Sequence, residues 1–261
     1  MTPALALDFD GVLCDGRPEY FEASCRAYGH VWSPLTLSRR GVRTAFDRLR
    51  PVIMSGWEMP VLLRAIVTGV RERTMLAEWP AVRDALLAAL PVPRDAAVSL
   101  IRTALDDVRR DWIRVAPDAW IEAHRPYVTL AVLRRVLSQT PRAAVVTTKE
   151  GEFARRILDH WGVKVADVAG KERGEHKCDN LVELLGAAPP AVGALAFVED
   201  RLETLDCVVR CSAREPRLAS VRLYLASWGY TTPAARATAR RHPRIRLLAL
   251  SAFARGPAAW S

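Results

Sequence analysis

The stretch ALALDFDGVLCDG, residues 4–16, begins with apolar residues and then carries two aspartates, Asp8 and Asp10, on either side of Phe9. The apolar residues predict a buried strand. Ligands of an open parallel sheet bind beyond the carboxyl ends of its strands, where both aspartates lie. A turn with Gly11 explains one aspartate, but two close carboxylates repel each other unless a cation or a shared proton joins them. The pair favours a metal site or a catalytic carboxylate pair.

The composition is that of a folded protein with a basic surface. The chain has 261 residues, 50% of them hydrophobic, and a formal net charge of +9, so it is long enough to bury a sizeable core. A basic surface attracts polyanions, but the arginines are scattered, and no helix-turn-helix, zinc-finger or RNP pattern occurs. We expect a small anionic partner and no primary nucleic-acid role.

Segment lengths and cysteines bear on the compartment. The first apolar run is interrupted by Asp8, and no later run approaches the length of a bilayer span. We therefore expect a soluble, cytoplasmic monomer or homodimer without a membrane role. The cysteines form no CxxC pair, which indicates a reducing compartment and thiols that pack as core residues rather than bind metal. They are Cys14, Cys25, Cys178, Cys207 and Cys211.

Apolar runs separated by helical patterns recur along the chain. One predicted helix covers residues 153–162, and another covers residues 178–186 with Asp179 as its N-cap. Continuous apolar strands joined by helices indicate a parallel sheet covered on both faces. We therefore predict an α/β fold with a doubly wound, Rossmann-like parallel sheet. The predicted strands are residues 4–7, 143–148, 165–169, 194–198, 221–226 and 245–250.

A long helical insertion follows the first strand. Residues 16–125 contain several amphipathic helical patterns and no low-complexity tract or flexible linker. We predict that this segment is a compact, all-helical cap. The α/β core would then consist of residues 1–15 and 126–261.

Polar side chains follow two further predicted strands. Thr147 and Thr148 end the strand that begins at residue 143, and Glu199 and Asp200 follow the strand at 194–198. Lys177 precedes a helix between these two strands. Acids, hydroxyls and a cation at the ends of core elements indicate a site that processes phosphate without a glycine-rich loop.

These motifs resemble those of a known superfamily in the same order. DFDGVLCD, residues 8–15, resembles the DxDGxxxD first motif of haloacid dehalogenase-like (HAD) proteins. The resemblance continues through the hydroxyl motif VVTT at 145–148, the basic motif at Lys177 and the acidic motif VED at 198–200. The resemblance implies a hydrolase of phosphate esters.

Other segments resemble particular branches of this superfamily. The helical insertion is similar to the C1-type cap of phosphoglycolate phosphatases and β-phosphoglucomutases, and the Glu199–Asp200 pair resembles the mutase-like, CbbY-like branch. The segment WGY at 228–230 resembles a stretch of phosphoglycolate-phosphatase-like members. We interpret it as a feature of the fold and not of the site.

The resemblance implies a magnesium-dependent phosphatase that acts on a small phosphorylated metabolite, phosphoglycolate or a sugar phosphate, through an aspartyl phosphate. Asp8 would be the nucleophile, and Asp10 would protonate the leaving group and then activate water. Thr147 and Lys177 would hold the transferring phosphoryl group. The implied Mg²⁺ ligands are Asp8, Asp10, Glu199 and Asp200, and the candidate substrate-binding residues are Gly11, Thr148, Trp57 and Glu58.

Several alternatives stay open at this point. Lys171 competes with Lys177 for the basic role, and Glu203 competes with Glu199 for the metal. Trp57 is also explained by simple packing. A phosphosugar mutase would use the same aspartates, and a non-catalytic binding or regulatory protein could share the scaffold.

Overall fold

The computed structural model describes residues 4–33, 39–140, 142–174, 176–186 and 195–260. The chain divides into two compact units. We call them the core unit, Met1–Asp15 with Arg125–Ser261, and the helical unit, Gly16–His124. No helix among the described residues combines the length and apolar character needed to cross a membrane.

The core unit is built on a parallel sheet. Its strands and those of a short antiparallel ribbon are β1 (Leu5–Leu7), β2 (Cys14–Asp15), β3 (Arg125–Pro126), β4 (Ala143–Val146), β5 (Asp167–Ala169), β6 (Ala196–Glu199), β7 (Arg222–Ala226) and β8 (Ile245–Leu248). The six-stranded sheet has the order β5-β4-β1-β6-β7-β8, and its neighbouring strands are parallel. β2 pairs with β3 in the ribbon. The predicted doubly wound α/β sheet is confirmed.

The strand order places a topological switch point beside β1. From β1 the chain proceeds outward through β4 and β5 and then returns to the other side of β1 with β6, β7 and β8. Ligands of doubly wound sheets bind at the carboxyl ends of the strands where the order reverses. The ends of β1 and β6 are therefore the expected position of a functional site.

One set of helices covers the sheet of the core unit, and a second set forms the helical unit. Those of the helical unit are α1 (Arg17–Val31), α2 (Arg39–Leu49), α3 (Glu58–Val67), α4 (Glu72–Ala88), α5 (Arg94–Val115) and α6 (Pro117–Glu122). Those of the core unit are α7 (Leu130–Ser138), α8 (Gly151–His160), α9 (Lys177–Gly186), α10 (Leu202–Cys211), α11 (Pro233–Ala239) and α12 (Leu250–Arg255). Because helices cover the sheet, its central strands are buried continuously rather than alternately.

Helix boundaries differ from the predicted ones for local reasons. α9 begins at Lys177, so Asp179 lies in its first turn and is not the predicted N-cap; a carboxylate there still interacts favourably with the helix dipole. α8 ends where Gly162 adopts a φ of +59°, as a left-handed C-terminal residue does. The chain is kinked at Glu78 within α4, two residues before Pro80, whose ring cannot continue a regular helix. Residue 194 of a predicted strand lies outside the described residues.

The helical unit contains a buried ion pair between α1 and α5. The Arg109 guanidinium donates to both carboxylate oxygens of Glu19, at 2.8 and 3.1 Å, and both side chains are buried. His124 Nε2 lies 3.9 Å from the same carboxylate. Two parallel hydrogen bonds fix the geometry of a buried carboxylate whose desolvation is otherwise costly.

We expect Arg109→Met to destabilise the protein by about 3–5 kcal/mol, because it leaves the buried Glu19 carboxylate without its guanidinium. The matched control is Arg110→Met on the same helix. Arg110 is 57% exposed and pairs with Asp107 on the surface, so its loss should cost less than about 1 kcal/mol. Urea unfolding followed by circular dichroism measures both. Equal losses would contradict a stabilising role for the buried pair.

Candidate active site

Three carboxylates meet at the switch point. The β1–β6 register pairs Leu7 with Val198, so the next residues, Asp8 and Glu199, lie at the same level of adjacent strands, and the Asp8 N–H donates to the Val198 carbonyl at 2.9 Å. Asp200 follows directly. All three acids are buried. Strand pairing thus brings together acids that are far apart in the sequence.

Lys177 bridges two of these acids. It lies in the first turn of α9, and its Nζ is 2.9 Å from Asp8 Oδ1 and 2.7 Å from Glu199 Oε2. Lys171 instead lies 3.0 Å from Glu150 through its own Nζ. The structure therefore brings Lys177, rather than the competing Lys171, to the aspartate at the end of β1.

Glu199 is held from both ends of its carboxylate. While Oε2 contacts Lys177, Oε1 accepts hydrogen bonds from the backbone N–H groups of Asp200 and Arg201, each at 3.0 Å. Glu203 stands apart, with its side chain 59% exposed and 3.5 Å from Arg201 Nε. The buried cluster includes Glu199 and not Glu203.

The carboxylates suit a hard divalent cation. Asp8, Glu199 and Asp200 each offer an oxygen, and these oxygens lie within 4.8 Å of one another. Carboxylate oxygens are the ligands that Mg²⁺ prefers. In the described contacts, the Lys177 ammonium pairs with two of the three acids, Asp8 and Glu199. The donor set therefore fits Mg²⁺.

The pKa values of these groups reflect burial first and the neighbouring charges second. Burial, followed by the charge of Glu199, raises the pKa of Asp8 to about 7, although Lys177 opposes the shift. Burial also raises the pKa of Glu199. Burial tends to lower the pKa of Lys177, but the charges of Asp8 and Glu199 outweigh it and the pKa is raised. A cation at the carboxylates would favour their ionised forms.

Two glycines allow the backbone to approach Asp200. Gly11 has a φ of +88°, and a Cβ atom there would lie 1.9 Å from Asp200 Oδ2. A Cβ atom at Gly229 would lie 2.3 Å from the Gly11 carbonyl oxygen. The adjacent Tyr230 N–H donates to Asp200 Oδ2 at 2.6 Å. The interpretation of WGY as a fold feature alone is therefore incomplete, because this segment supports a site carboxylate.

The end of β4 contributes a hydroxyl and an unpredicted lysine. Thr147 is buried, and its Oγ1 accepts from the Lys149 N–H at 3.1 Å, whereas Thr148 is exposed. The buried Lys149 places its Nζ 3.6 Å from Asp10 Oδ1. Lys149 was not among the predicted site residues, although it directly follows the two threonines at the strand end.

The remaining predicted substrate residues lie in the helical unit. Glu58 is buried, and its carboxylate accepts from Trp79 Nε1 at 2.7 Å and from Arg83 Nη1 at 3.2 Å. Trp57 is also buried, with the Arg83 guanidinium 5.9 Å from its ring centroid. These contacts explain the burial of both residues within their own unit, and their substrate-binding role stays a prediction.

Comparison with known proteins connects this geometry to solved structures. No model of a known protein family matches the sequence, and no curated protein matches it. The structure matches a predicted phosphatase from Clostridium acetobutylicum at a TM-score of 0.59 and 12% identity, covering 98% of both chains. It also matches a HAD-like family hydrolase from Streptococcus pneumoniae at a TM-score of 0.53 and 15% identity, covering 94% of this chain and 93% of that one.

A third match is a predicted phosphoglycolate phosphatase from Haemophilus somnus, at a TM-score of 0.56 and 15% identity, covering 94% of this chain and 93% of that one. The chain has the fold of the HAD-like hydrolases. The resemblance predicted from DFDGVLCD is thereby confirmed for the fold, and the matches extend over both units of the chain. Identities this low leave the activity to be argued from the site.

We expect Gly11→Ala to weaken Mg²⁺ binding by about tenfold or more, because its Cβ would displace the Asp200 carboxylate. Gly69→Ala is the matched control, since Gly69 also has a positive φ, +78°, but no atom lies within 4 Å of its added Cβ. Both variants carry backbone strain of about 1–2 kcal/mol, and only Gly11→Ala adds the clash. Isothermal titration with Mg²⁺ compares them. An equal effect on affinity would show that strain, not contact with Asp200, is responsible.

Proposed function

We propose that this protein is a magnesium-dependent phosphatase that hydrolyses a small phosphorylated metabolite through an aspartyl phosphate on Asp8. The observation that carries the proposal is the buried cluster of Asp8, Glu199 and Asp200, with Lys177 Nζ 2.9 Å from Asp8. Phosphoryl transfer requires a nucleophile, a positive charge beside it and ligands for a hard metal ion. Asp8, the Lys177 ammonium and the neighbouring carboxylates provide these groups at the ends of β1 and β6.

The first step is attack by Asp8 on phosphorus. An Asp8 oxygen forms a bond to phosphorus while the ester P–O bond breaks, and Asp10 donates its proton to the departing alkoxide. Asp8, Glu199 and Asp200 would hold a Mg²⁺ ion, which would neutralise part of the negative charge of the carboxylates and the phosphate dianion. Lys177 and Thr147 hold the phosphoryl oxygens as charge shifts among them.

The second step releases phosphate. Asp10, now ionised, accepts a proton from a water molecule as that water attacks phosphorus, and the bond to Asp8 breaks with return of its carboxylate. The Asp10 side chain is 20% exposed, more than that of Asp8, which suits a residue that must exchange a proton with leaving group and water. Lys149 lies 3.6 Å from it and adds a second cation for an anionic substrate.

The substrate class rests on the chemistry of the site and on the fold. Two buried lysines beside the carboxylates suit a dianionic phosphomonoester, and the similar structures include a protein described as a predicted phosphoglycolate phosphatase. We propose phosphoglycolate or a sugar phosphate as the leading substrates, with the helical unit acting as the cap that selects among them. A cytoplasmic location and a monomeric or dimeric state accompany this proposal.

A phosphomonoester panel tests the activity. With Mg²⁺ we expect turnover of at least one small phosphomonoester, with release of inorganic phosphate, and we expect excess chelator to abolish it. Asp8→Asn should reduce turnover by at least about a thousandfold, since an amide cannot act as the nucleophile, whereas Glu203→Gln should retain it. Wild-type turnover in folded Asp8→Asn would refute the proposal. Phosphoryl return to a sugar substrate, without net phosphate release, would indicate a mutase, and no activity would favour a binding protein.

The role of Glu199 has its own test. We expect Glu199→Gln to raise the Mg²⁺ concentration needed for half-maximal activity about tenfold or more, while Glu203→Gln changes it little. Because Glu199 also contacts Lys177 at 2.7 Å, turnover at saturating Mg²⁺ should fall as well. Titration of initial rates against Mg²⁺ separates the two effects. A larger shift for Glu203→Gln would move the metal role to that residue.

A further inference from the structure

The core unit holds a second cluster of metal-ligating side chains, made of thiols. Cys178 lies in the first turn of α9, and Cys207 and Cys211 lie on α10. Their three sulfur atoms lie within 4.8 Å of one another. Composition alone suggested that these cysteines are inert core residues, but packing has brought three of the five in the chain to one point.

We propose that Cys178, Cys207 and Cys211 bind one thiophilic d¹⁰ cation, the class to which Zn²⁺, Cd²⁺ and Cu⁺ belong. Soft thiolate ligands select such ions over Mg²⁺. The site is chemically distinct from the carboxylate cluster, whose oxygen donors prefer hard cations. From a mixture of ions, the thiols would therefore bind the soft cation and the carboxylates the hard cation.

Helix geometry explains why the sulfurs converge. Cys207 and Cys211 are four residues apart on α10, so they share one face of the helix. α9 and α10 pack together, and Cys178 belongs to the same hydrophobic cluster against which Cys207 and Cys211 lie. The arrangement depends on the helix spacing and on packing between two elements rather than on a local sequence motif.

The dimensions suit a single ion. Bonds of about 2.3 Å between a metal and thiolate sulfur place the sulfurs about 3.8–4.0 Å apart in tetrahedral or trigonal geometry. The three sulfurs lie within 4.8 Å of one another, which is at most about 1 Å more than such bonds require. Cys178 is buried, while Cys207 and Cys211 are half-buried.

One of the three thiols, that of Cys178, is buried in a way that disfavours its charged form. Burial, together with hydrogen bonds and charge interactions among the three thiols, raises the pKa of Cys178. Entry of a cation M²⁺ would displace the thiol protons to solvent and form three S–M bonds.

The experiment uses the full-length, reduced protein with saturating Mg²⁺ present, so that hard-ion binding is constant. We expect Cd²⁺ to produce thiolate-to-metal charge-transfer absorption that saturates at one equivalent per chain, and Zn²⁺ to compete with it. Cys178→Ser, Cys207→Ser and Cys211→Ser should each weaken Cd²⁺ binding by about tenfold or more. The control is Cys25→Ser, a half-buried cysteine of the helical unit, which should bind as the wild type does.

A second measurement needs no variant to fold. In the wild-type protein, Zn²⁺ should slow alkylation of Cys207 and Cys211, but not of Cys25, as quantified by mass spectrometry of peptides. Equal alkylation rates with and without Zn²⁺, or Cd²⁺ absorption that persists when all three residues are replaced, would overturn the proposal. The cysteines would then be packing residues only. Neither measurement involves phosphatase activity, so failure here leaves the proposed function untouched.

Discussion

The contact of one ammonium with two carboxylates is the interaction on which the site depends. Lys177 Nζ lies 2.9 Å from Asp8 and 2.7 Å from Glu199, so the start of α9 is tied to the ends of β1 and β6. Buried acids this close would otherwise repel each other. Burial, followed by the charge of Glu199, still raises the pKa of Asp8 to about 7, because Lys177 opposes the shift only in part. A divalent cation at these carboxylates, as proposed above, would favour their ionised forms.

At two glycines near this contact, the surrounding atoms leave no room for a Cβ atom. Gly11 and Gly229 face Asp200 so closely that a Cβ at either would meet the carboxylate or the neighbouring backbone. The Tyr230 N–H then fixes one Asp200 oxygen at 2.6 Å. The register between β1 and β6 places Asp8 and Glu199 at the same level of adjacent strands. The close approach of the glycines determines the position of Asp200. The site is therefore preorganised by backbone geometry, which costs nothing further when a ligand binds.

Much of this arrangement follows from sequence patterns, and the rest depends on contacts that no local pattern encodes. The apolar strands and the acids that follow them could be predicted, because strand burial and strand ends have clear signals. The choice of Lys177 over Lys171 required the position at which α9 begins. The sequence predicts that a helix exists more reliably than it predicts the helix boundary. Lys149 was missed although it adjoins Thr148, because its burial is a property of packing. The segment WGY was noted only as a fold feature, because Tyr230 contacts Asp200 through its backbone N–H and not through its side chain.

The start of α9 joins the two clusters of the core unit. Lys177 contacts the carboxylates, and Cys178, the next residue, meets the sulfurs of Cys207 and Cys211. Successive residues in a helix point about 100° apart, so the side chains of Lys177 and Cys178 can lie in two chemically different environments. The first is polar and lies at the sheet switch point, whereas the second lies against the apolar packing of α9 on α10. An ion held by the thiols would fix the turn that carries Lys177, because displacement of that turn would have to break metal–sulfur bonds as well as helix packing. The position of the ammonium that contacts Asp8 would then depend, through one peptide unit, on whether the proposed thiol site holds its ion.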